Sequence, residues 1–125
     1  MKILLADDHA TIRLVIKKIL LRGFPMGRIE EVKDGMELVT KAISGQWDIV
    51  ISDISMPVMS GLEALKEIRK HSLMLPVVIL SSHYEYHYIR YALMAGASGY
   101  VNKCNAHDKL CEAVREAMSV TSPTQ

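Results

Sequence analysis

The sequence predicts an α/β domain in which helices cover both faces of a parallel five-stranded sheet. Three observations carry that prediction. Short, almost wholly apolar runs recur along the chain, the pattern of strands buried on both faces. Between them lie longer stretches with apolar residues three and four apart, the pattern of amphipathic helices. The two patterns alternate from end to end, which calls for right-handed crossovers and a parallel sheet. With 125 residues, 50% of them hydrophobic, one domain burying roughly two thirds of its unfolded surface is the simplest organisation. It is expected over residues 1–120, followed by a polar tail at 121–125.

Lys2-Ile-Leu-Leu-Ala6 reads as the first strand, closed by Asp7-Asp8. Ile12, Val15, Ile16, Ile19 and Leu20 mark the apolar face of the helix that follows, and Gly23 and Pro25 stop it. Arg28-Ile-Glu-Glu-Val32 alternates weakly, as an edge strand does. Asp34-Gly-Met-Glu37 opens a helix with a capping signal, and its apolar face is read as Leu38, Val39, Ala42 and Ile43. Ile49-Val-Ile51 is the third strand, ended by Ser52-Asp53. Met56-Pro57 then forbids an immediate helix, and Ser60-Gly-Leu-Glu63 opens one with a capping box. Leu62, Leu65 and Ile68 line its inner face. Pro76-Val-Val-Ile-Leu-Ser-Ser82 is the fourth strand with a hydroxyl ending. Tyr84 to Ala95 reads as a helix ended by Gly96, with Ile89, Ala92 and Leu93 inward. Ser98-Gly-Tyr-Val101 is the fifth strand, followed by Asn102-Lys103. Asn105 is expected to cap a last helix that buries Leu110, Ala113, Val114, Ala117 and Met118.

In such a sheet all strands end on one edge, where open α/β sheets bind ligands. That edge would collect Asp7, Asp8, Asp53, Ser81 and Lys103. Each has a bland reading alone: a helix cap, an Asx turn, a loop hydroxyl, a solvated lysine. Their convergence after four of the five strands is what points to chemistry. Carboxylates so placed repel by about 1 kcal/mol or more per pair and want a cation. All-oxygen ligation suits Mg²⁺, which keeps waters and bridges to phosphate. With Mg²⁺, a lysine and a hydroxyl at hand, a carboxylate can act as nucleophile and form an aspartyl phosphate.

The acidic pair Asp7-Asp8, the loop Asp53-x-x-Met-Pro-x-Met-Ser-Gly61, Ser81, and Gly96-Ala-x-Gly-Tyr-Val-x-Lys103 together resemble the response-regulator receiver domains of bacterial two-component systems, over residues 2 to about 119. The resemblance implies a flavodoxin-like sheet in the order 2-1-3-4-5; a receiver is one of the known examples of that order. It implies Asp53 as phosphoacceptor from a sensor histidine kinase or phosphotransfer protein. It further implies Mg²⁺ held by Asp8, Asp53 and the Ser55 backbone carbonyl, with Asp7 acting through water. Lys103 would pair with the phosphoryl oxygens, Ser81 would swing towards the phosphate, and Tyr100 would move as the switch aromatic. Cys104 stands where many receivers have proline after the lysine. A cis bond without proline costs about 3 kcal/mol, so a trans Lys103–Cys104 bond is expected. This departure leans towards the NarL/FixJ type, which implies control of transcription through a DNA-binding domain that these residues do not contain. A stand-alone receiver or phosphorelay intermediate is the alternative.

The formal net charge of +1 with no basic run speaks against direct nucleic-acid or membrane binding by these residues. Met1 to Asp8 is too short an apolar segment for a signal peptide or span, so a cytoplasmic location is expected. Cys104 and Cys111 would lie about 10 Å apart along a helix, beyond the roughly 7 Å limit of a disulfide. Tyr84, Tyr88 and Tyr91 share one helical stripe, read either as rings packed on neighbours or as a partner surface, a homodimer included. His9 is expected to start the first helix and face solvent; imidazole suits Mg²⁺ poorly. Trp47 is expected at a loop edge, and the methionines in the core. An aspartyl-nucleophile phosphatase of the haloacid-dehalogenase kind would want a second Asp where Ser55 stands. A flavin-binding module would want a hydroxyl-rich phosphate loop where Asp7-Asp8 stand. The reading is therefore a switch that assists its own phosphorylation, not an enzyme acting on an external substrate.

Overall fold

The computed structural model describes residues 1–72 and 74–119, with the side chains of His83 and Tyr84 left out. The expected tail at 121–125, the domain end at residue 120 and the Tyr84 ring therefore lie outside the described residues. Five parallel strands, β1 (Lys2–Ala6), β2 (Arg28–Val32), β3 (Ile49–Asp53), β4 (Val77–Ser81) and β5 (Gly99–Asn102), form one sheet in the order β2-β1-β3-β4-β5. Helices α1 (Ala10–Gly23), α2 (Gly35–Ser44), α3 (Gly61–His71), α4 (Ile89–Met94) and α5 (Ala106–Ser119) connect and flank them. This is the expected doubly wound, flavodoxin-like arrangement.

The two-residue period of the strands divides the core between two faces. Ile3, Leu5, Ile51, Val78 and Leu80 meet Ile16 and Leu20 of α1 and Leu110 and Val114 of α5. Leu4, Ala6, Val50 and Ile79 meet Leu38 of α2, Leu65 and Ile68 of α3, and Ala92 of α4. Every residue of β3 and β4 is buried. The edge strand β2 instead exposes Arg28, Glu30 and Glu31, and Glu31 pairs with Arg13 and Lys17 while Glu30 pairs with Lys41. A charged edge resists pairing with another chain.

The caps follow the sequence. Asp34 accepts from the Glu37 N–H at 2.8 Å, and Ser60 and Glu63 form the reciprocal capping box that starts α3. Every peptide bond among the described residues is trans, Lys103–Cys104 included, and both cysteines are free. Trp47 sits half-buried at a loop edge, its indole N–H donating to Lys41 O at 2.9 Å.

Several inward assignments are corrected. Val15, Ile43 and Leu93 are exposed, because each lies about 100° around its helix from a residue that meets the sheet. Met26, Met36, Met74 and Met94 are also exposed, on turns and outer helix faces. The stretch expected as one helix from Tyr84 is a 3-10 segment over His83–Tyr88 followed by the short α4. Asn105 does not cap α5 from outside: the chain already coils as a 3-10 turn over Lys103–Asn105, where Asn102 Oδ1 accepts from the Cys104 N–H at 2.9 Å.

Candidate functional site

The carboxyl edge of the sheet assembles the site. Asp7 directly follows β1, and its backbone N–H still donates to Val32 O at 3.2 Å, which draws its side chain out of solvent. Asp53 is the last residue of β3 and is also buried. The next residue, Ile54, donates to Leu80 O at 2.9 Å and accepts from the Gly61 N–H at 2.9 Å. This folds the Asp53 loop back over the strand end. A Cβ on Gly61 would lie 1.9 Å from Asp53 O, so only glycine permits that return.

The Lys103 ammonium, delivered from the end of β5, joins the two buried acids. Its Nζ donates to Asp53 Oδ2 at 2.9 Å and lies 3.2 Å from Asp7 Oδ2. Asp7 Oδ1 accepts from the His9 backbone N–H at 2.8 Å, and Arg13 Nη1 donates to Asp7 O at 2.7 Å. Burial raises the Asp53 pKa, against the lowering pull of Lys103; the charges of Asp7 and Glu85 push it further up. Burial opposes the Lys103 charge, but the Asp53 hydrogen bond and the two acids outweigh it, and its pKa is raised.

Three carboxylates against one ammonium leave an excess of negative charge at one point. One ligand atom from each of Asp7, Asp8, His9 and Asp53 lies within 4.8 Å of the others. The carboxylate oxygens fit a hard divalent cation such as Mg²⁺. His9 occupies the N-cap position of α1 and its ring is exposed, as expected. Its Nδ1 nevertheless lies 3.2 Å from both Asp7 Oδ1 and Asp8 Oδ1, so the imidazole borders the cluster rather than pointing away from it.

On the β4 side, the Ser81 hydroxyl is buried with no hydrogen-bond partner among the described residues. An unpaired buried hydroxyl costs about 1–3 kcal/mol. Tyr100 is half in solvent on β5, and Tyr86, Tyr88 and Tyr91 are exposed. The structure thus brings Asp8, Asp53, Ser55 and Lys103 to one pocket, with Asp7 buried against Lys103 and Ser81 buried at the end of β4, and leaves Tyr88 and Tyr91 on the outer surface. The same pocket is lined by Glu85 and Ser82, which the sequence reading did not single out. Ser82-x-x-Glu85 has capping-box spacing, and that was the available signal.

The sequence profile of the response regulator receiver domain matches residues 3–115. The chain belongs to this family. Receivers are the regulated modules of two-component signalling, and the curated relatives of this one differ in kind. The Pseudomonas putida transcriptional activator protein ExaE is 35% identical over 122 residues, covering 95% of this chain and 56% of that protein. The Vibrio cholerae chemotaxis protein CheY-3 is 36% identical over 108 residues, covering 82% of this chain and 80% of that protein. The chain spans about half the length of the activator-type relatives it matches. Among solved structures, it resembles the receiver domain of a Pseudomonas aeruginosa PAO1 sensor histidine kinase, with TM-score 0.83 and 25% identity over 94% of this chain and 97% of that one. That structure has a magnesium ion coordinated in its active-site cleft. Among the described residues no helix is long and apolar enough to cross a membrane.

Proposed function

We propose that this receiver accepts a phosphoryl group on Asp53 from a histidine kinase or phosphotransfer protein, with Mg²⁺ held at Asp8, Asp53 and the Ser55 backbone carbonyl and, through water, at Asp7. The observation that carries the reading is the Lys103 ammonium bridging two buried carboxylates beside a third. Bound Mg²⁺ supplies positive charge that offsets the phosphoryl oxygens as they approach the acids. A carboxylate oxygen of Asp53 attacks phosphorus, an oxygen–phosphorus bond forms, and the donor's bond to phosphorus breaks with its electron pair leaving on the donor. Lys103 then exchanges its Asp53 contact for a phosphoryl oxygen. Ser81 gains an acceptor that its buried hydroxyl does not find among the described residues, and the β4–α4 loop follows it, with Tyr100 turning inward. The chain assists its own phosphorylation in this way, and its dephosphorylation when water attacks the same phosphorus and the Asp53 carboxylate leaves, and it acts on no external metabolite.

The output lies with other surfaces. Exposed Tyr88 and Tyr91 form a partner face, either for a second copy of the phosphorylated chain or for an effector. Matching about half of a transcriptional activator favours control of transcription through a separate DNA-binding domain, as in NarL/FixJ proteins, acting in the cytoplasm. Matching four fifths of a chemotaxis protein favours a stand-alone receiver instead. Tyr88→Ala with Tyr91→Ala should weaken self-association or effector binding while leaving phosphorylation intact; unchanged association in both variants would rule that face out.

The site itself is tested by intact mass after incubation with a small-molecule phosphodonor and Mg²⁺. One labile phosphoryl group is expected on the wild type, and none on Asp53→Asn or a chelated sample. Beryllofluoride, a non-hydrolysing mimic of the phosphoryl group, is the companion probe. Failure of the wild type both to take up phosphate and to bind beryllofluoride would reject the assignment.

A further inference from the structure

Glu85 has no part in the proposed chemistry, yet it lines the Asp53 pocket. Its carboxylate Oε1 accepts from the Ser82 backbone N–H at 2.8 Å, on the loop that follows Ser81. It shares that pocket with Ser55, on the loop that follows Asp53. Ser55 in turn leans its backbone N–H on Asp53 Oδ1, at a long 3.4 Å. Ser55, Glu85 and Ser82 therefore border the phosphoacceptor in one pocket. Next to Ser82 stands Ser81, whose buried hydroxyl has no partner among the described residues. The same glutamate sits inside the His83–Tyr88 3-10 segment, where its own N–H donates to Ser82 O at 3.0 Å. A 3-10 stretch has poorer hydrogen-bond geometry than an α-helix.

We propose that Glu85 is a charge-sensitive clasp that holds the unphosphorylated receiver off by fixing the backbone of the Ser81 loop beside the Asp53 pocket. The clasp rests on the phosphoacceptor reading above and adds a positioning residue to it. Its physical basis is simple. In this proposal Ser81 reaches a phosphoryl oxygen by moving with the backbone beside it, and the Ser82 N–H bond to Glu85 opposes that movement. A phosphoryl group carries roughly two negative charges at neutral pH, where the Asp53 carboxylate carried one. The added charge repels Glu85, the bond to Ser82 breaks, and the His83–Tyr88 segment is released together with its exposed tyrosines. The local signal becomes a change at the α4 surface.

The test titrates full-length wild type, Glu85→Gln and Glu85→Ala with beryllofluoride at saturating Mg²⁺, by calorimetry, and follows the Ser82 amide by NMR. Glutamine keeps an acceptor for the Ser82 N–H and removes the charge; alanine removes both. Glu85→Gln should bind beryllofluoride about twofold more tightly with the Ser82 amide of the free protein unmoved. Glu85→Ala should bind about fivefold more tightly, the effect of one released hydrogen bond. Its free Ser82 amide should shift towards the wild-type bound position. A role in folding alone would not separate the two variants in this way. Equal or weaker binding by Glu85→Ala, with wild type binding normally, overturns the clasp. Absence of binding by the wild type would instead overturn the phosphoacceptor reading on which it rests.

Discussion

The two sides of the pocket are built on opposite terms. On the β1–β3 side, Asp7 and Asp53 are buried, paired to Lys103 and held by backbone bonds, and a glycine closes the loop above them with no room to spare. On the β4–β5 side, Ser81 is buried without a hydrogen-bond partner among the described residues, the following segment is 3-10, and α4 is only six residues long, with Tyr91, Leu93 and Met94 in solvent. One side is over-determined and the other under-determined. A phosphorylation switch needs both: fixed groups to hold the reacting atoms, and a neighbour whose contacts are few enough to change.

The largest expected effect contrasts two glycines. In Gly61→Ala the new Cβ meets the Asp53 backbone carbonyl, which cannot yield without moving β3, so a loss of about 3 kcal/mol is expected. Gly96 ends α4 with φ of 107°, and its N–H and that of Ala97 donate to Leu93 O and Ala92 O, a Schellman closure. The atoms nearest a Cβ there belong to the Arg69 side chain rather than to backbone, the closest being Nε at 2.8 Å. Gly96→Ala should therefore lose about 1–2 kcal/mol, chiefly from the left-handed backbone. Urea denaturation of both variants measures the difference. Equal losses would mean that the two sides are equally constrained.

Next in size is Lys103, whose side chain is 20% exposed and spans both sides of the pocket. The pKa of Asp53 is raised in the folded protein. Its contribution to stability is thus fully present below its unfolded value near 3.9, and is lost as pH rises through the folded value. Ionised Asp53 therefore costs stability at neutral pH. The pKa of Lys103 is also raised, so its contribution is fully present below about 10.4 and fades only above that. Lys103→Met removes the favourable partner and leaves the unfavourable one, at a cost of about 2 kcal/mol at pH 7. The loss should shrink as pH falls towards 4 and Asp53 takes up its proton. A loss independent of pH, in chemical denaturation between pH 4 and 8, would mean that packing rather than charge sets the Lys103 contribution.

The fixed side was also the legible one. Asp7, Asp8 and Asp53 could be placed on one edge because apolar runs have clear ends, and a parallel sheet sends all those ends the same way. Strand order was not legible in this sense, since hydrophobic pattern does not say which strand neighbours which; the family resemblance supplied it. The movable side was read less well. Tyr84 to Ala95 has helical spacing, but spacing does not register that Glu85 reaches back to Ser82 and that the first turns tighten to 3-10. Val15, Ile43 and Leu93 show the same limit from another direction. Periodicity fixes the angle between residues on a helix, whereas the width of the buried stripe depends on what packs against it.

The smallest effect tests whether the fixed side is fixed without strain. Val58 has φ of 69° and is 77% exposed, and across it the Met59 N–H donates to Pro57 O at 2.7 Å. This is a γ-turn with positive φ, the strained form, and a β-branched residue there is a true outlier. Glycine would relieve about 1–2 kcal/mol of steric cost while giving the unfolded chain more freedom, which takes back part of it. Val58→Gly should therefore stabilise the protein by about 0.5–1 kcal/mol in urea denaturation. No gain would mean that the loop carries no strain at this residue. The informative companion is beryllofluoride affinity. If it stays within twofold of wild type while stability rises, the strain is a passive cost of closing the Asp53 loop, and switching belongs to the β4–β5 side. If affinity falls as stability rises, the strain is relieved on phosphorylation, and the side that looks rigid also takes part in the switch.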